Sequence, residues 1–214
     1  MKFRPKIPPV SGWLEVELGQ NEIDHLWKCI DTEGKDVKSS LVGNISKSFE
    51  IKDIDNIFYD SVCKECIYQF NQAFPDGVTF SSYPNSHIHD TILNSLWVNY
   101  QYKHEFNPLH NHSGVFSFVI WLKVPTDWRD QYKLPHLKGT SIPQASDFQM
   151  IYHDIHGGLK HYTYYMSESS VGRMVFFPST LNHLVYPFYE SCLLYTSDAA
   201  DEGLGVDLGG RRII

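Results

Sequence analysis

Hydrophobic and polar positions follow two different periods along the chain, and the change comes within its first half. Before the change, apolar residues recur every three to four positions within 21–32 and 54–74, which predicts two amphipathic helices. Asn21 is predicted to cap the first helix, and the Pro-Asp-Gly run at 75–77 is predicted to end the second. The polar, Ser-rich stretch 35–50 between them is predicted to be irregular.

The rest of the chain shows short apolar runs separated by turn residues, which is the pattern of β-strands. The run 115–124 is apolar almost throughout and predicts a strand covered on both faces. Gly157-Gly158 predicts the tight turn of a hairpin. Strands are predicted at 13–18, 96–102, 115–124, 148–154, 160–166, 172–177 and 184–188. Two helices followed by these strands predict a mainly β, α+β fold, either a helix-supported β-sandwich or a jelly roll.

A single domain is predicted, because 214 residues with 42% hydrophobic content are enough for one well-buried core and marginal for two. We expect it to span residues 1–191, with helical support at about 20–75 and the jelly roll at about 78–191. The net charge of -7 argues against a nucleic-acid partner. The N-terminus lacks the apolar core of a signal peptide, which predicts a reducing, cytoplasmic setting for the cysteines. No apolar run approaches the roughly 18 residues of a membrane span.

The main chemical candidate is a His-x-His pair, His110 and His112. On extended backbone, side chains two positions apart point to the same face, so the pair would supply two ligands of a metal site. A third ligand must come from a distant part of the chain, and the candidate is His183. Three ligands on one face leave the opposite coordination positions open for substrate and oxygen. A His-x-His pair by itself is weak evidence, so the flanking residues decide its weight.

Those flanking residues form an ordered set, which is Trp97-x-Asn99, His110-x-His112-Ser113-Gly114, Gly172-x-Met174-Val175-Phe176-Phe177-Pro178-Ser179 and His183-x-Val185-x-Pro187. The set resembles the iron(II)/2-oxoglutarate-dependent dioxygenases. Within them it is most similar to a prolyl-4-hydroxylase-like branch common in tailed phages and marine bacteria. The resemblance covers roughly residues 95–190, and the ordered set is specific although each piece is not.

The resemblance implies a double-stranded β-helix in which His110, His112 and His183 hold Fe(II), with 2-oxoglutarate as cosubstrate and O2 as oxidant. The usual second ligand of the family is a carboxylate, and His112 stands at that position here. Imidazole suits iron, so an all-His site is chemically allowed. Three neutral ligands leave the site with the +2 charge of the ion, which a dianionic cosubstrate would neutralise. The same ligand set also fits zinc.

Three residues are candidates for binding the cosubstrate. Asn99 and Gln101 share one face of the strand before the histidine pair, with ordinary hydrogen bonding at a strand end as the other interpretation. The resemblance implies an Arg on the last strand, about ten residues after the distal His, and the sequence has none there. Arg173 is a substitute candidate for this anchor, or otherwise a solvated surface residue.

The sequence changes character from Cys192 onward. The stretch CLLYTSDAADE resembles translated sequencing-adapter read-through, and Arg211 and Arg212 lie in a segment without a strand pattern. Residues 192–214 are therefore predicted to be a non-native or disordered tail, and the final strand with its cosubstrate anchor is predicted to be missing. Loss of an inner strand would expose a sheet edge.

Three other groups of potential ligands carry less weight. They are the hairpin set His153, Asp154, His156 and His161, the pair His87 and His89, and the helix pair Cys63 and Cys66. The first is predicted to be a polar hairpin tip and the second a surface loop. The third is predicted to be two buried helix cysteines, because a structural zinc would need a second pair.

The leading hypothesis is an Fe(II)- and 2-oxoglutarate-dependent dioxygenase that hydroxylates a C–H bond of a protein or small-molecule substrate. The resemblance alone favours a peptidyl proline or another protein side chain. Two alternatives stay open. One is a metal-binding jelly-roll module without oxygenase activity, such as a phage structural or interaction protein, which the missing Arg and carboxylate favour. The other is a three-His, cupin-type dioxygenase that needs no 2-oxoglutarate.

Overall fold

The computed structural model describes residue 4, residues 11–32, 34–75 and 91–190, and the backbone of 194–200. Within these ranges the strands are β1 Leu14–Glu17, β2 Lys47–Glu50, β3 Trp97–Gln101, β4 Asn107–His110, β5 Phe116–Lys123, β6 Asp147–His153, β7 Leu159–Tyr165, β8 Arg173–Pro178, β9 Asn182–Val185 and β10 Leu194–Ala200. The helices are α1 Gln20–Ile30, α2 Lys64–Ala73 and the short α3 Trp128–Gln131.

The strands form two antiparallel sheets that the chain enters in turn. The larger sheet has the order β1-β8-β5-β10-β3-β2, and the smaller has the order β4-β9-β6-β7. From β3 onward, β3, β5, β8 and β10 lie in the larger sheet, whereas β4, β6, β7 and β9 lie in the smaller one. This winding is the double-stranded β-helix, or jelly roll, so the predicted fold class is confirmed.

The central strand β5 separates two apolar cores. Alternate side chains of a strand point to opposite faces. Phe118 points towards the helices and packs against Phe58, with ring centroids 5.6 Å apart. Trp121 points towards the smaller sheet and packs against Phe148 of β6, with ring centroids 5.2 Å apart. Both cores are closed by β5, which explains why this strand is apolar almost throughout.

The helices cover the outer face of the larger sheet. In α1, Leu26 and Ile30 are buried as the predicted apolar stripe requires, but the helix is capped at Gly19 rather than at Asn21. The predicted helix 54–74 is present but irregular at its start, with a 3-10 turn and a π-helical segment before α2. None of the helices in the described ranges is long and apolar enough to cross a membrane.

Two short strands of four residues were not predicted. β2 lies in the stretch predicted to be irregular, and it forms because Ser48 pairs with Asn99 of β3 across the edge of the larger sheet. β4 contains Pro108 and pairs with β9 in the smaller sheet. Both depend on a distant partner strand rather than on their own sequence, so periodicity did not reveal them.

The C-terminal segment departs from the prediction in its backbone. Leu194–Ala200 form β10 between β3 and β5, so the prediction that no final strand is present is wrong for these seven residues. A non-native origin of the sequence from Cys192 onward stays a prediction. Residues 201–214, including Arg211 and Arg212, lie outside the described residues.

Candidate metal centre

The pairing of β4 with β9 brings together histidines that are far apart in sequence. His110, the last residue of β4, is the Cα partner of His183 on β9. His112 follows just after β4, so only one member of the predicted pair lies on a strand. The backbone N–H of His112 donates to the carbonyl oxygen of Ser179 at 2.8 Å, which holds it against the turn before β9.

The three imidazoles form one compact cluster. Nε2 of His112 lies 3.2 Å from Nε2 of His183. One ring nitrogen from each of the three residues lies within 4.8 Å of the other two. Two nitrogens that each lie about 2.1 Å from the same ion are about 3 Å apart, so this spacing fits ligands of a single metal.

Backbone carbonyls orient two of the rings. Nδ1 of His110 donates to the carbonyl oxygen of Pro108 at 2.7 Å, and Nδ1 of His183 donates to that of Leu181 at 3.0 Å. A ring with its proton on Nδ1 carries its lone pair on Nε2, which is the form that binds a metal. The local backbone therefore selects the tautomer that a metal site needs.

Burial keeps the three rings neutral. Desolvation is the main cause that lowers the pKa of His112 to about 4, and it also lowers the pKa of His110. It lowers the pKa of His183 well below its usual value, and the two neighbouring imidazoles act in the same direction. Neutral imidazole is the metal-binding form, so these ligands need no deprotonation at neutral pH.

Aromatic rings wall the cluster on its inner side. Trp97 lies against His112 with ring centroids 5.9 Å apart, and Phe177 lies against His183 at 5.0 Å. Phe148 adds a further contact with His183 at 5.8 Å. The apolar surroundings exclude water from this side, which strengthens electrostatic interactions at the nitrogens.

A cavity of about 400 Å³ opens beside His110 and His112. It lies between the β2–β3 edge of the larger sheet and β4, and the 35–43 stretch forms part of its wall. Its lining includes Ser48 and Asn99 as well as the two histidines. The volume falls within the range of about 300–1,000 Å³ found for small-molecule sites.

The structure brings one of the three predicted cosubstrate residues to this cavity. Asn99 is buried in the cavity wall, where its Oδ1 accepts a hydrogen bond from the Ser48 hydroxyl at 2.6 Å. Gln101 instead donates to the backbone carbonyl of Glu105 at 2.7 Å. Arg173 lies on β8 and pairs with Glu17 at 3.2 Å, in the β1–β8 part of the sheet and not in the cavity lining.

The residues present fit an iron ion. The cluster offers three neutral imidazole nitrogens, and imidazole is a common ligand of Fe(II). No carboxylate belongs to the group that the described residues form around the histidines. The ligands therefore leave the +2 charge of the ion uncompensated, which favours an anionic cosubstrate at the open positions.

Sequence reasoning missed two residues of the site's surroundings. Ser48 was missed because β2 was not predicted, although Ser48 and Glu50 alternate with the half-buried Phe49 as in a strand. Trp97 was noted only as part of the flanking pattern, and its contact with His112 depends on how β3 and β4 face each other.

The hairpin histidines do not form a cluster. Across the β6–β7 hairpin, His153 pairs with Leu159 and His161 pairs with Ile151, so the two histidines are not opposite each other. Gly157 supplies a positive φ of 79° at the predicted turn, while Gly158 does not have a positive φ.

Two other predicted groups of potential ligands, and one that was not predicted, remain to be located in the structure. Cys63 and Cys66 are buried free cysteines, as expected. The His87 and His89 pair lies outside the described residues. The described part of the chain does contain a second group of potential ligands, formed by His25, Cys29 and Asp53, which the sequence did not indicate.

Part of the chain matches a family of known proteins. Residues 95–192 match a family model described as "Putative 2OG-Fe(II) oxygenase". The matched segment includes β3 to β9 and all three clustered histidines. A search of curated proteins found no match.

Several solved structures are similar to the chain at low sequence identity, and one has a TM-score above 0.5. An oxidoreductase of the 2OG-Fe(II) oxygenase family from Burkholderia pseudomallei is similar with a TM-score of 0.52 and 11% identity, covering 92% of this chain and 87% of that one. A prolyl-4-hydroxylase from Pseudomonas putida has a TM-score of 0.44 at 14% identity, covering 90% and 94%. A prolyl hydroxylase from Trichoplax adhaerens, in complex with a hypoxia inducible factor peptide fragment, has a TM-score of 0.44 at 13% identity, covering 88% and 82%.

The matched segment indicates a metal-dependent oxidoreductase, and the jelly-roll topology agrees with that class of protein. Residues 95–192 are similar to the iron(II)/2-oxoglutarate-dependent oxygenases, the superfamily that the residues around the histidines predicted. The cofactor and cosubstrates of this superfamily are Fe(II), 2-oxoglutarate and O2.

Proposed function

We propose that His110, His112 and His183 together bind one Fe(II), and that the chain uses it to hydroxylate a C–H bond. The observation that carries this proposal is the convergence of three neutral ring nitrogens beside a cavity large enough for a small molecule. Their separation is that of ligands sharing one ion.

Iron held by these three histidines would supply the oxidation, in which one atom of O2 would enter the C–H bond as a hydroxyl group and the other would be retained in succinate as 2-oxoglutarate loses CO2. The protein supplies position and a dry environment. The carbonyls of Pro108 and Leu181 hold two ligand rings in one orientation. The rings of Trp97 and Phe177 keep water from the inner side of the site.

Asn99 is proposed to contact 2-oxoglutarate in the cavity. Its amide is fixed by the Ser48 hydroxyl and lines the same cavity as His110 and His112. Lys35 is the one Lys or Arg among the described lining residues, and its positive charge complements a dianion. Glu50 lines the same cavity, and its backbone N–H donates to the carbonyl oxygen of Lys35 at 2.9 Å, so the two residues are neighbours in the cavity wall.

The proposed substrate is a protein side chain, with peptidyl proline favoured by the resemblance of the motifs between Trp97 and Pro187. The outer wall of the cavity includes Val42, which is 55% exposed and offers an apolar contact to an extended chain. A cytoplasmic setting is part of the proposal, supported by the free cysteines Cys29, Cys63 and Cys66.

An anaerobic titration tests the proposal. Purified apo-protein is loaded with Fe(II) and then titrated with 2-oxoglutarate while visible absorption is recorded. We expect a new metal-to-ligand charge-transfer band when the keto acid binds the iron. His183→Ala should abolish the band, whereas His161→Ala, which changes an exposed histidine on β7, should keep it. A band of unchanged strength in His183→Ala would show that the metal is bound elsewhere.

The all-His ligand set favours a second candidate function, a three-His dioxygenase that needs no 2-oxoglutarate. The two functions differ in their oxygen uptake with a substrate present. Uptake that needs the keto acid supports the first, and uptake without it supports the second. Iron binding with neither a band nor oxygen uptake would instead identify a metal-binding module.

A further inference from the structure

A second cluster of metal-binding side chains lies in the apolar core between the larger sheet and the helices. We propose that His25, Cys29 and Asp53 supply three of the four ligands of a structural Zn(II) site, with a water molecule as the fourth. The site is separate from the three clustered histidines, so it does not depend on the proposed oxygenase function. One nitrogen, one sulfur and one oxygen atom from these residues all lie within 4.8 Å of one another.

Helix geometry places the first two ligands together. His25 and Cys29 are four residues apart on α1, so their side chains lie on the same face of the helix. Asp53 comes from the turn that precedes the next helical segment. Nε2 of His25 lies 2.7 Å from Oδ1 of Asp53 and 3.4 Å from Sγ of Cys29.

Both contacts share one ring nitrogen, so a hydrogen bond from Nε2 of His25 to Asp53 leaves the Cys29 thiol without an acceptor on His25. If Nε2 of His25 carries a proton, it donates that proton to Asp53, and it has no lone pair left for the Cys29 thiol. If Nε2 carries a lone pair, it faces the carboxylate oxygen without a proton between them. A cation at the centre satisfies all three groups, because imidazole, thiolate and carboxylate each offer a lone pair.

Backbone amides orient the outer side of the ligands. Oδ1 and Oδ2 of Asp53 accept hydrogen bonds from the N–H groups of Phe58 and Tyr59, at 3.0 and 2.8 Å. The N–H of Ile54 donates to the sulfur of Cys29, which acts to lower the pKa of a thiol that burial raises. Hydrogen bonds of this kind support ligands in metal sites and stabilise their charged forms.

Burial and donor type select the ion and its role. His25 is 9% exposed and Cys29 is fully buried, while the Asp53 side chain is 4% exposed. Sulfur, nitrogen and carboxylate oxygen are the three donor types that Zn(II) accepts. Binding would release the Cys29 thiol proton to solvent and connect α1 to the segment that leads into α2. The expected role is therefore structural rather than catalytic.

The test uses the full chain with the other cluster removed by His110→Ala, His112→Ala and His183→Ala. We expect this variant to bind one equivalent of Zn(II). With Co(II) in place of Zn(II), we expect a sulfur-to-cobalt charge-transfer band in the near ultraviolet. Adding Cys29→Ser should abolish the band. Adding Cys63→Ser, which changes another buried free cysteine of the same core, should keep it.

Two further measurements distinguish loss of the zinc site from misfolding of the variant. In the otherwise unchanged chain, Cys29→Ser should lower total Zn(II) binding by one equivalent. Asp53→Asn keeps a helix-capping side chain but loses the charge, so it should fold and bind Zn(II) at least tenfold more weakly. A folded chain without the cobalt–sulfur band, or a band that survives Cys29→Ser, would overturn the proposal.

Discussion

The two sides of the larger sheet each carry a cluster of potential metal ligands, but the clusters differ in access. Towards the smaller sheet, His110, His112 and His183 offer only imidazoles and lie beside a cavity of about 400 Å³. Towards the helices, His25 and Cys29 join Asp53 in a closed apolar core. Side chains that alternate along the same strands build both surroundings.

The comparison shows that access for small molecules distinguishes a cluster suited to a reaction from a cluster suited to a structural role. The open cluster leaves room for cosubstrate and substrate, whereas the closed cluster has its carboxylate held by two backbone amides. An ion in the open cluster can exchange ligands, and one in the closed cluster can only connect segments of the fold. Variants on either side should therefore affect different properties.

The largest expected effect comes from a substitution in the apolar core between the larger sheet and the helices. Phe118→Ala removes a fully buried ring that packs against Phe58, so we expect the free energy of unfolding to fall by about 3–5 kcal/mol. Urea unfolding followed by circular dichroism measures this change. The folded variant should bind Fe(II) as tightly as the unchanged chain, since its site lies on the other side of β5. A loss of stability below about 1 kcal/mol would contradict the assigned core.

The second prediction concerns a substitution that introduces a carboxylate, the usual second ligand of the family that the sequence resembles. His112→Asp should retain Fe(II), because a carboxylate is also an iron ligand, but it lowers the net charge of the site by one. We expect the dissociation constant of dianionic 2-oxoglutarate to rise about tenfold, which corresponds to about 1.4 kcal/mol. Anaerobic titration of the charge-transfer band gives this constant. Tighter cosubstrate binding by the variant would show that the all-His charge is not what holds the dianion.

The third prediction distinguishes Asn99 from Gln101, which share one strand face and were both predicted to bind the cosubstrate. Asn99→Ala should raise the dissociation constant of 2-oxoglutarate about fivefold, the effect of losing one hydrogen bond worth about 1 kcal/mol. Gln101→Ala should leave it unchanged, because Gln101 donates to the Glu105 carbonyl rather than lining the cavity. The same titration compares them, and equal effects would remove the distinction.

The last prediction concerns the pH dependence of stability that Asp147 causes on the outer face of the smaller sheet. Burial raises the pKa of this carboxyl from 3.8 to about 7, and its Oδ1 has no hydrogen-bond partner, while the Tyr132 hydroxyl donates to Oδ2. The folded chain therefore binds more protons than the unfolded chain between about pH 4 and 7. Its free energy of unfolding should fall as the pH rises through this window.

Asp147→Asn removes this dependence, because the amide does not ionise. We expect the variant to be more stable than the unchanged chain at pH 8 by up to about 4 kcal/mol, the linkage value of a pKa raised from 3.8 to about 7. The difference should shrink as the pH is lowered towards 4. Urea unfolding at several pH values measures it, and a pH-independent difference would argue against a charged buried carboxyl.

Some features of this fold followed from the sequence because they depend on local pattern. The helical spacing before residue 75 and the strand pattern after it gave the right class of fold and seven of the strands. Short strands such as β2 and β4 were missed because four residues carry too little periodicity, and pairing with β3 and β9 stabilises them. The β10 backbone likewise depends on both of its neighbours in the sheet.

The candidate metal site likewise has some features that the sequence predicts and others that only the tertiary structure decides. The His-x-His spacing and its flanking residues were enough to nominate His110, His112 and His183, since both are properties of the sequence itself. Only the tertiary structure decided that Asn99 lines the cavity while Gln101 and Arg173 do not, because strand parity gives a face but not what lies opposite it. It alone also joined Asp53 to His25 and Cys29, since ligands from separate segments meet only when the chain packs.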